Sequence, residues 1–233
     1  MTNKDRDLSS ILPDELIKLV RLIFSHGFKT SLVGGAIRDY FLEGKVSDDF
    51  DLELRPIRPT ENILDQYKVL IKNLDQVYNT ENLPYNMIRI DVEHLCFELT
   101  LPRIETYSCD FHHSNFDASF IADLDYSKGC KRRDFTINSM LYEYDGTSFH
   151  LIDPLDGKED LDNRLLKPCS EDFDKDPVRF LRALRFSLKL DFKIDEAILK
   201  SMTNVSLNDF TAHYLFLESN KSNKPLTCLL YTS

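Results

Sequence analysis

The sequence predicts an α+β protein in which strands and helices share the first part of the chain and helices dominate the second. Two observations support this prediction. In the first part, apolar residues recur at the helical period of 3.6 in some segments and alternate at the strand period of two in others. Glycine and proline residues mark the boundaries between these segments. With 233 residues, 42% hydrophobic and 29% charged, the chain has the composition of one large or two small globular domains.

Each element of the first part has a local signal. Pro13 suits the first turn of a helix, apolar side chains then recur at helical spacing, and Gly27 follows as a stop. Gly34 and Gly35 end a short apolar run, and Gly44 follows the next helical pattern. The predicted helices are residues 13–25, 36–42 and 61–75. The predicted strands are residues 30–33, 50–54 and a pair within residues 86–101.

The middle and the end of the chain carry weaker signals. Residues 102–129 are polar and irregular, so a long loop is predicted there, with one strand near residues 120–124. A helix-rich region is predicted to begin near Phe135 and to dominate after Lys158. Residues 216–233 include a low-complexity stretch and are predicted to be a disordered or non-native tail.

Composition and charge exclude several classes of protein. The chain has no apolar run of 18 residues and its first residues are too charged for a secretory signal, so a cytoplasmic protein is expected. The five cysteines are scattered and never in Cys-x-x-Cys spacing, which argues against a zinc ribbon and a disulfide framework. The net charge of −10 by itself predicts no nucleic-acid partner. Residues 128–189, however, carry 12 basic and 12 acidic side chains with the arginines bunched, so a local basic strip can still bind RNA.

The first cluster of residues that suggests chemistry is the sequence Leu-Val-Gly-Gly-Ala-Ile-Arg-Asp at residues 32–39, followed by Asp49 and Asp51. A strand that ends in two glycines and opens a helix leaves backbone N–H groups for phosphate, and Arg38 adds a charged donor one turn later. The two aspartates project from one face of a strand, where a cation would relieve their repulsion, and oxygen ligands favour magnesium. The alternative is a tight turn followed by a solvent-facing acidic strand edge.

The second cluster is Lys-Arg-Arg-Asp-Phe-Thr-Ile-Asn at residues 131–138. In the functional interpretation, Arg133 contacts a triphosphate or a sugar edge, and Asp134 accepts a hydrogen bond from a ribose hydroxyl. In the alternative, the segment is a basic loop that caps a helix, with Asp134 as the N-cap and the apolar residues after it buried.

The third cluster is an amphipathic helix at residues 176–186. At 100° per residue, Asp176, Arg179 and Arg182 share one face, whereas Arg185 lies outside it. An Asp that accepts from an exocyclic amine and an Arg that donates to a ring nitrogen would accept cytosine and adenine and reject uracil and guanine. The alternative is a solvated, salt-bridged helix face. The predicted buried stripe of this helix consists of Phe180, Leu181, Leu184 and Leu188.

In this order, the three clusters resemble the class II CCA-adding enzyme and bacterial poly(A) polymerase family of nucleotidyltransferases. The family motifs are G-G-x-x-R-D, D-x-D, R-R-D-F-T-I-N, D-P-x-x-G and E-D-x-x-R-x-x-R. The matching segments of this chain are residues 34–39, 49–51, 132–138, 153–157 and 176–182. The resemblance spans residues 31–186, and five ordered motifs are more specific than any one of them.

The resemblance implies a polymerase-β-like nucleotidyltransferase head, a small mixed sheet flanked by helices, over residues 1–152. It implies an all-α neck for base recognition over residues 153–215, before the predicted tail at residues 216–233. Family members usually continue into helical body and tail domains that grip tRNA, so the chain is expected to be truncated. Lys175 departs from the family pattern, which usually has Glu before the base-reading Asp.

The resemblance also implies roles for individual residues. Asp49 and Asp51 are implied as the catalytic magnesium ligands, with Glu98 as a weaker candidate for a third acidic residue. The implied nucleotide-binding residues are Gly34, Gly35, Arg38, Arg133, Asp134, Asp176, Arg179, Arg182 and Arg185.

The implied activity is template-independent addition of CMP and AMP, from CTP and ATP, to the 3′ end of tRNA by a two-metal mechanism. Within the family, the alternatives are a poly(A) polymerase and an enzyme that adds only CC or only A. From a different class, the alternative is a nucleotide-binding fragment without tRNA activity. A third alternative is a small nucleotidyltransferase that acts on a protein or an antibiotic. Such an enzyme would need only the first cluster, so it would not explain the base-reading helix at residues 176–186.

Overall fold

The structure, a computed structural model, describes residues 8–59, 61–107, 116–205 and 212–221. The chain divides into two compact units. The first unit comprises Met1–Ile104, Ala118–Cys130 and Asn138–Pro154. The second unit comprises Glu105–Asp117, Lys131–Ile137 and Leu155–Ser233. The predicted boundary after residue 152 is close to Pro154, but two earlier segments also belong to the second unit, because tertiary contacts rather than chain order define the units.

The first unit is built on a seven-stranded mixed sheet, which confirms the predicted α+β class. In chain order the strands are β1 (Phe28–Val33), β2 (Asp49–Pro56), β3 (Thr80–Leu83), β4 (Met87–Val92), β5 (Leu95–Thr100), β6 (Arg103–Tyr107), β7 (Phe116–Phe120), β8 (Leu141–Tyr144), β9 (Phe149–Ile152), β10 (Leu165–Leu166) and β11 (Lys193–Ile194). The sheet order is β3-β4-β5-β2-β1-β8-β9. Strands β2 and β5 are parallel, and the other neighbours in this sheet are antiparallel. Strands β6 and β7 form one separate pair, and β10 and β11 form another.

The helices are α1 (Asp14–Ser25), α2 (Gly35–Glu43), α3 (Ile63–Leu74), α4 (Tyr126–Cys130), α5 (Gly157–Asp162), α6 (Val178–Leu190), α7 (Glu196–Ser201) and α8 (Ala212–Asn220). Short 3-10 turns occupy Leu8–Ile11, Pro84–Asn86, Thr136–Asn138, Glu171–Lys175 and Met202–Asn204. None of the helices in the described ranges is long and apolar enough to cross a membrane.

The first side chains of strand β2 alternate between the two faces of the sheet. Phe50, Leu52 and Leu54 are buried, whereas Asp49 and Asp51 on the opposite face are exposed. This alternation is the period-two pattern that predicted the strand, and it places both aspartates on one surface. Helix α1 packs on the neighbouring strand β1. Its buried side chains are those that recur at helical spacing, namely Leu16, Leu19, Val20 and Ile23.

The prediction for residues 102–129 is wrong in two respects. Strand β6 and helix α4 lie where a loop was predicted, and the second strand is β7, which ends where the predicted strand at residues 120–124 begins. Strands β6 and β7 pair only with each other among the described strands, and the residues of β7 alternate between half-buried and exposed without any being fully buried. Residues 108–115, inside the predicted loop, lie outside the described residues.

The predicted start of the helix-rich region near Phe135 is also wrong. Strands β8 and β9 follow that residue, and the regular helices resume only at α5. All four residues of β8 are buried, so the strand shows no alternation of apolar and polar positions.

Two further predictions concern the end of the chain and the cysteines. Helix α8 extends into residues 216–220, which were predicted to belong to the tail, and residues 222–233 lie outside the described residues. The cysteines at 96, 130 and 169 are buried and form no disulfide within the described part of the chain, and Cys109 and Cys228 lie outside it.

The start of helix α3 provides a test of local stability. The side chain of Asn62 accepts a hydrogen bond from the backbone N–H of Asp65 and caps this helix. We expect Asn62→Ala to lower the free energy of unfolding by about 1 kcal/mol in urea titration, because one N-terminal N–H loses its partner. Exposed Lys72→Ala in the last turn of the same helix is the control, and an equal loss there would contradict the capping role.

Candidate functional site

The glycine turn at the end of β1 is built by local backbone geometry. Gly34 has φ 78° and ψ −136°, a conformation that favours glycine, and it is the N-cap of α2. A Cβ atom at Gly35 would lie 3.3 Å from Nη2 of Arg38, so a glycine here gives the guanidinium room to fold back over the turn. The first N–H groups of the nine-residue helix α2 follow directly, which is an arrangement that binds phosphate.

The guanidinium of Arg38 connects this turn to a distant segment of the first unit. Arg38 is only 5% exposed. Its Nε donates to Oδ1 of Asp39 at 2.8 Å, and its Nη1 donates to Oδ1 of Asn138 at 2.7 Å. Asn138 is the last residue of the R-R-D-F-T-I-N motif, so two of the sequence motifs meet at this arginine.

The two aspartates lie beside the glycine turn. Strands β1 and β2 are antiparallel, and Val33, directly before Gly34, is the register partner of Asp51. On its other side β2 is parallel to β5, where Asp51 is paired with Glu98. The sheet register therefore places the glycine turn, Asp51 and Glu98 on three neighbouring strands.

The carboxylates on this face repel one another. The pKa of Glu98 is raised above its ordinary value by partial burial and then by the negative charges of Asp51 and Asp49, and Arg89 opposes part of this shift. A cation bound at Asp49 and Asp51 would relieve the repulsion, and their oxygen atoms suit a hard divalent ion. In the described part of the chain, no group of three or more His, Cys, Asp or Glu side chains is placed to hold a metal ion. The aspartate pair therefore fits an ion that completes its coordination shell with phosphate and water oxygens.

In the second unit, the acidic residue of the R-R-D-F-T-I-N motif binds an arginine of α6. Oδ2 of Asp134 accepts hydrogen bonds from Nε and Nη2 of Arg182 at 2.8 and 2.5 Å. Its Oδ1 accepts from the N–H of Phe135 at 2.8 Å. The attraction of Asp134 raises the pKa of Arg182. The contact with the N–H of Phe135, the next residue, is not the N2 or N3 contact of a helix N-cap, and only the short 3-10 turn at Thr136–Asn138 follows. Through Arg182, Asp134 joins the second and third sequence clusters.

The first turn of α6 is held by a second set of contacts. Oδ1 of Asp176 accepts from the N–H of Val178 at 3.1 Å, and its Oδ2 lies 3.8 Å from Nε of Arg179. Nη2 of Arg179 donates to the carbonyl of Arg132 at 2.8 Å. Arg179 is 4% exposed, so the predicted polar face of this helix is buried at Arg179 rather than solvated.

Three other charged residues named from the sequence differ in their surroundings. Among the described residues, the half-buried guanidinium of Arg133 has no carboxylate partner. Lys175 forms an ion pair with Asp172 at 2.8 Å. Arg185 donates to Glu218 at 2.7 Å, a contact that no sequence pattern indicated.

The predicted buried stripe of α6 holds only in part. Phe180 and Leu181 are buried, but Leu188 is 38% exposed, so its predicted burial is wrong. Periodicity identifies the apolar face of a helix. How much of that face is buried depends on which other elements pack against it.

The chain is similar to known proteins in sequence and in fold. The family model for the poly(A) polymerase head domain matches residues 30–167. The CCA-adding enzyme of Lactococcus lactis subsp. cremoris is 30% identical over 218 residues, which cover 90% of this chain and 51% of that protein. The CCA-adding enzyme of Enterococcus faecalis is 30% identical over 191 residues, which cover 81% of this chain and 43% of that protein. The chain therefore spans about half the length of the curated relatives it matches.

Solved structures give the same relationship. A tRNA nucleotidyltransferase complexed with a primer tRNA and an incoming ATP analogue is 25% identical, with a TM-score of 0.66, and the match covers 87% of this chain and 55% of that one. A CCA-adding enzyme in apo form II is 24% identical, with a TM-score of 0.75 and coverage of 97% and 55%, and it supports the fold alone.

Proposed function

The chain belongs to the poly(A) polymerase head-domain family, whose members are generally metal-dependent, and from this premise we propose that it is a template-independent nucleotidyltransferase. It adds CMP and AMP, from CTP and ATP, to the 3′ end of tRNA. In this reaction the 3′-hydroxyl oxygen attacks the α-phosphorus, the bond to pyrophosphate breaks, and the hydroxyl proton passes to solvent. Pyrophosphate is the leaving group.

The observation that carries the proposal is the register of β1, β2 and β5. It brings the Gly34 turn, which suits phosphate, next to the exposed carboxylates of Asp49 and Asp51. Phosphoryl transfer needs this combination, because the triphosphate must be held while charge on its oxygens is neutralised. In this proposal Gly34, Gly35 and Arg38 contact the triphosphate.

Magnesium is the metal that we assign to the aspartate pair. Asp49 and Asp51 carry oxygen ligands on one strand face, and Asp51 is the register partner of Glu98 on the neighbouring strand, so carboxylates gather there. A pair of such ions, when bound, neutralises charge on the attacking and leaving oxygens. Asp49 and Asp51 would hold these ions through their carboxylate oxygens.

The remaining proposed nucleotide-binding residues come from the R-R-D-F-T-I-N motif and from α6. We assign the sugar and triphosphate to Arg133 and Asp134, and the base to Asp176, Arg179 and Arg182. The contact of Arg179 with the Arg132 carbonyl and that of Arg182 with Asp134 support this assignment, because they organise these side chains as one group. Arg185, which the sequence analysis added to the base-binding residues, is paired with Glu218 and is treated separately below.

The 3′ end of tRNA is the acceptor that we propose. The support comes from relatives named CCA-adding enzymes and from a similar structure complexed with a primer tRNA. The cytoplasm, where tRNA is processed, is the compartment that this function predicts.

A second candidate is addition of adenylate alone, in the manner of a poly(A) polymerase. The observation that favours it is the matching family model, which is described as a poly(A) polymerase head domain. Both candidates use the same aspartate pair and glycine turn, so the product must distinguish them.

The test is an extension assay with a tRNA transcript that lacks its terminal CCA, magnesium, and labelled CTP and ATP supplied separately and together. We expect addition of C, C and A, with no extension of a transcript that already ends in CCA. Long adenylate tails would support the second candidate instead. If no product forms but both nucleotides bind, the chain is a nucleotide-binding fragment without tRNA activity, and the proposed reaction is wrong.

A further inference from the structure

A buried ion pair joins α6 to α8 within the second unit. Nε of Arg185 donates to Oε2 of Glu218 at 2.7 Å, and the two side chains are only 8% and 4% exposed. The ammonium of Lys221 reaches the other oxygen, Oε1, at 3.1 Å. Both oxygens of the carboxylate therefore have a cationic donor, which a buried charge requires in order to be tolerated.

The electrostatics of Glu218 agree with this geometry. Burial alone would raise its pKa, but the hydrogen bond and positive charge of Arg185, together with Lys221, outweigh burial and hold the pKa below its ordinary value. The carboxylate is therefore ionised near neutral pH. An ionised buried carboxylate fixes its arginine partner more strongly than a neutral acceptor would.

Arg185 is connected to the proposed nucleotide-binding residues through one aromatic ring. Its guanidinium carbon lies 4.3 Å from the centroid of the Phe186 ring, and that of Arg182 lies 5.6 Å from the same centroid. The ring of Phe186 also packs edge-on against Phe135 at 5.7 Å, and Phe135 directly follows Asp134. Asp134 in turn binds Arg182. The negative charge of Glu218 reaches Arg182 as well and contributes to its raised pKa.

We propose that Glu218 is a positioning residue for nucleotide selection, which acts by holding Arg185 and thereby the Phe186 ring, Arg182 and Asp134. The inference rests on the proposed function of these residues in nucleotide recognition. It assigns Arg185 to the support of the site rather than to contact with the base. Helix α8 carries no recognisable motif, but in this proposal it contributes to the preference for cytosine and adenine over uracil and guanine.

The physical reason is the cost of an unpaired cation. Without the charge of Glu218, the guanidinium of Arg185 is buried beside a ring that it shares with Arg182. To regain a favourable partner it turns toward solvent or toward Asp134, the carboxylate that binds Arg182. Either movement displaces the Phe186 ring and disturbs the contact between Arg182 and Asp134.

The central variant is Glu218→Gln, which keeps the size and one acceptor oxygen but removes the charge. We expect the preference for CTP and ATP over UTP and GTP, measured as the ratio of kcat/KM, to fall about tenfold, mainly through KM. The magnesium concentration for half-maximal rate should stay unchanged, because Asp49 and Asp51 are not involved. Equilibrium binding of each nucleotide, followed by fluorescence, should show the same loss of discrimination.

Three matched variants separate positioning from stability. Lys221→Met removes only the exposed partner of Glu218 and should change selectivity less than twofold. Ile198→Val, at a buried position of α7, should lower the unfolding temperature without changing selectivity. Addition of Arg185→Gln to Glu218→Gln removes the unpaired cation and should restore part of the discrimination.

Wild-type discrimination in a folded Glu218→Gln variant would overturn the proposal. A double variant that is worse than Glu218→Gln would also overturn it, because Arg185 would then contact the nucleotide itself. If the wild-type chain binds CTP and ATP but transfers neither, the proposed reaction fails while the binding ratios still decide the role of Glu218. A folded wild-type chain that binds neither nucleotide overturns both.

Discussion

Replacing Asp49 and Asp51 together by alanine is expected to abolish nucleotide transfer, with a loss of more than about 10³-fold in kcat. Both side chains are exposed on one face of β2, so their removal takes away the proposed metal ligands without opening the apolar core. CTP and ATP binding should persist, because the Gly34 turn and the other proposed nucleotide-binding residues are unchanged. The measurement is the extension assay together with nucleotide titration.

The matched control for this pair is Asp91→Ala. Asp91 is an exposed aspartate on β4 of the same sheet, where it is paired with Arg89. We expect it to transfer nucleotides at the wild-type rate. Activity retained in the Asp49→Ala/Asp51→Ala variant, or lost equally in the control, would contradict the assignment of the metal ligands.

The same double variant should not be less stable than the wild type near neutral pH. The folded-state pKa of Glu98 lies above its ordinary value of 4.5, so Glu98 favours folding below pH 4.5 and loses that contribution as the pH rises through its folded-state pKa. Removing Asp51 and Asp49 lowers this pKa. The unfolding free energy of the variant should therefore exceed that of the wild type by an amount that grows as the pH rises above about 4.5. Urea titration at each pH, in buffer with a chelator, measures this difference.

Replacing Arg55 by methionine is expected to lower the free energy of unfolding by about 3–5 kcal/mol. Arg55 and Glu53 are 7% and 3% exposed, and Nη2 of Arg55 donates to Oε1 of Glu53 at 2.8 Å. The guanidinium also donates to the carbonyl of Leu124 and lies 4.0 Å from the ring centroid of Tyr126. Methionine removes the guanidinium that pairs with the buried Glu53 carboxylate, and chemical denaturation measures the cost.

Two controls separate charge from packing at this position. In Glu53→Met/Arg55→Met no charge is left unpaired, and most of the stability should return, because a well-packed apolar pair can replace a buried ion pair. Lys68→Met removes one side of an exposed pair with Asp65 and should cost less than about 1 kcal/mol. A loss below about 1 kcal/mol for Arg55→Met would show that Glu53 reaches solvent or takes up a proton.

The elements that the sequence predicted well are those whose signal is local. The apolar spacing of α1, the glycine turn between β1 and α2 and the alternation along β2 each follow from residues next to one another in the chain. Strand β8 was missed because all its residues are buried. Strand β6 was missed and β7 was placed too far along the chain, because none of the five residues of β7 is fully buried and the polar residues around these strands indicated a loop.

For the candidate site, too, the sequence indicated the residues with a local signal but not their distant partners. The motifs named Asp49, Asp51, Arg38 and Asp134, because local spacing carries their chemistry. The partners of these residues did not follow from the motifs. Asn138 was quoted within a motif without a role, and Glu218 lay in a segment expected to be a tail.

By itself, the sequence determined the class of the fold, the turn that suits phosphate and the strand face that carries two carboxylates. Helical and strand periods, and the left-handed backbone open to Gly34, act over a few residues and can be recognised in the chain. Only the tertiary structure decided which residues meet across the chain: Arg38 with Asn138, Asp51 with Glu98, Arg182 with Asp134 and Arg185 with Glu218. The reason is that these pairs depend on strand register and helix packing, which are set by the burial of apolar faces throughout each unit.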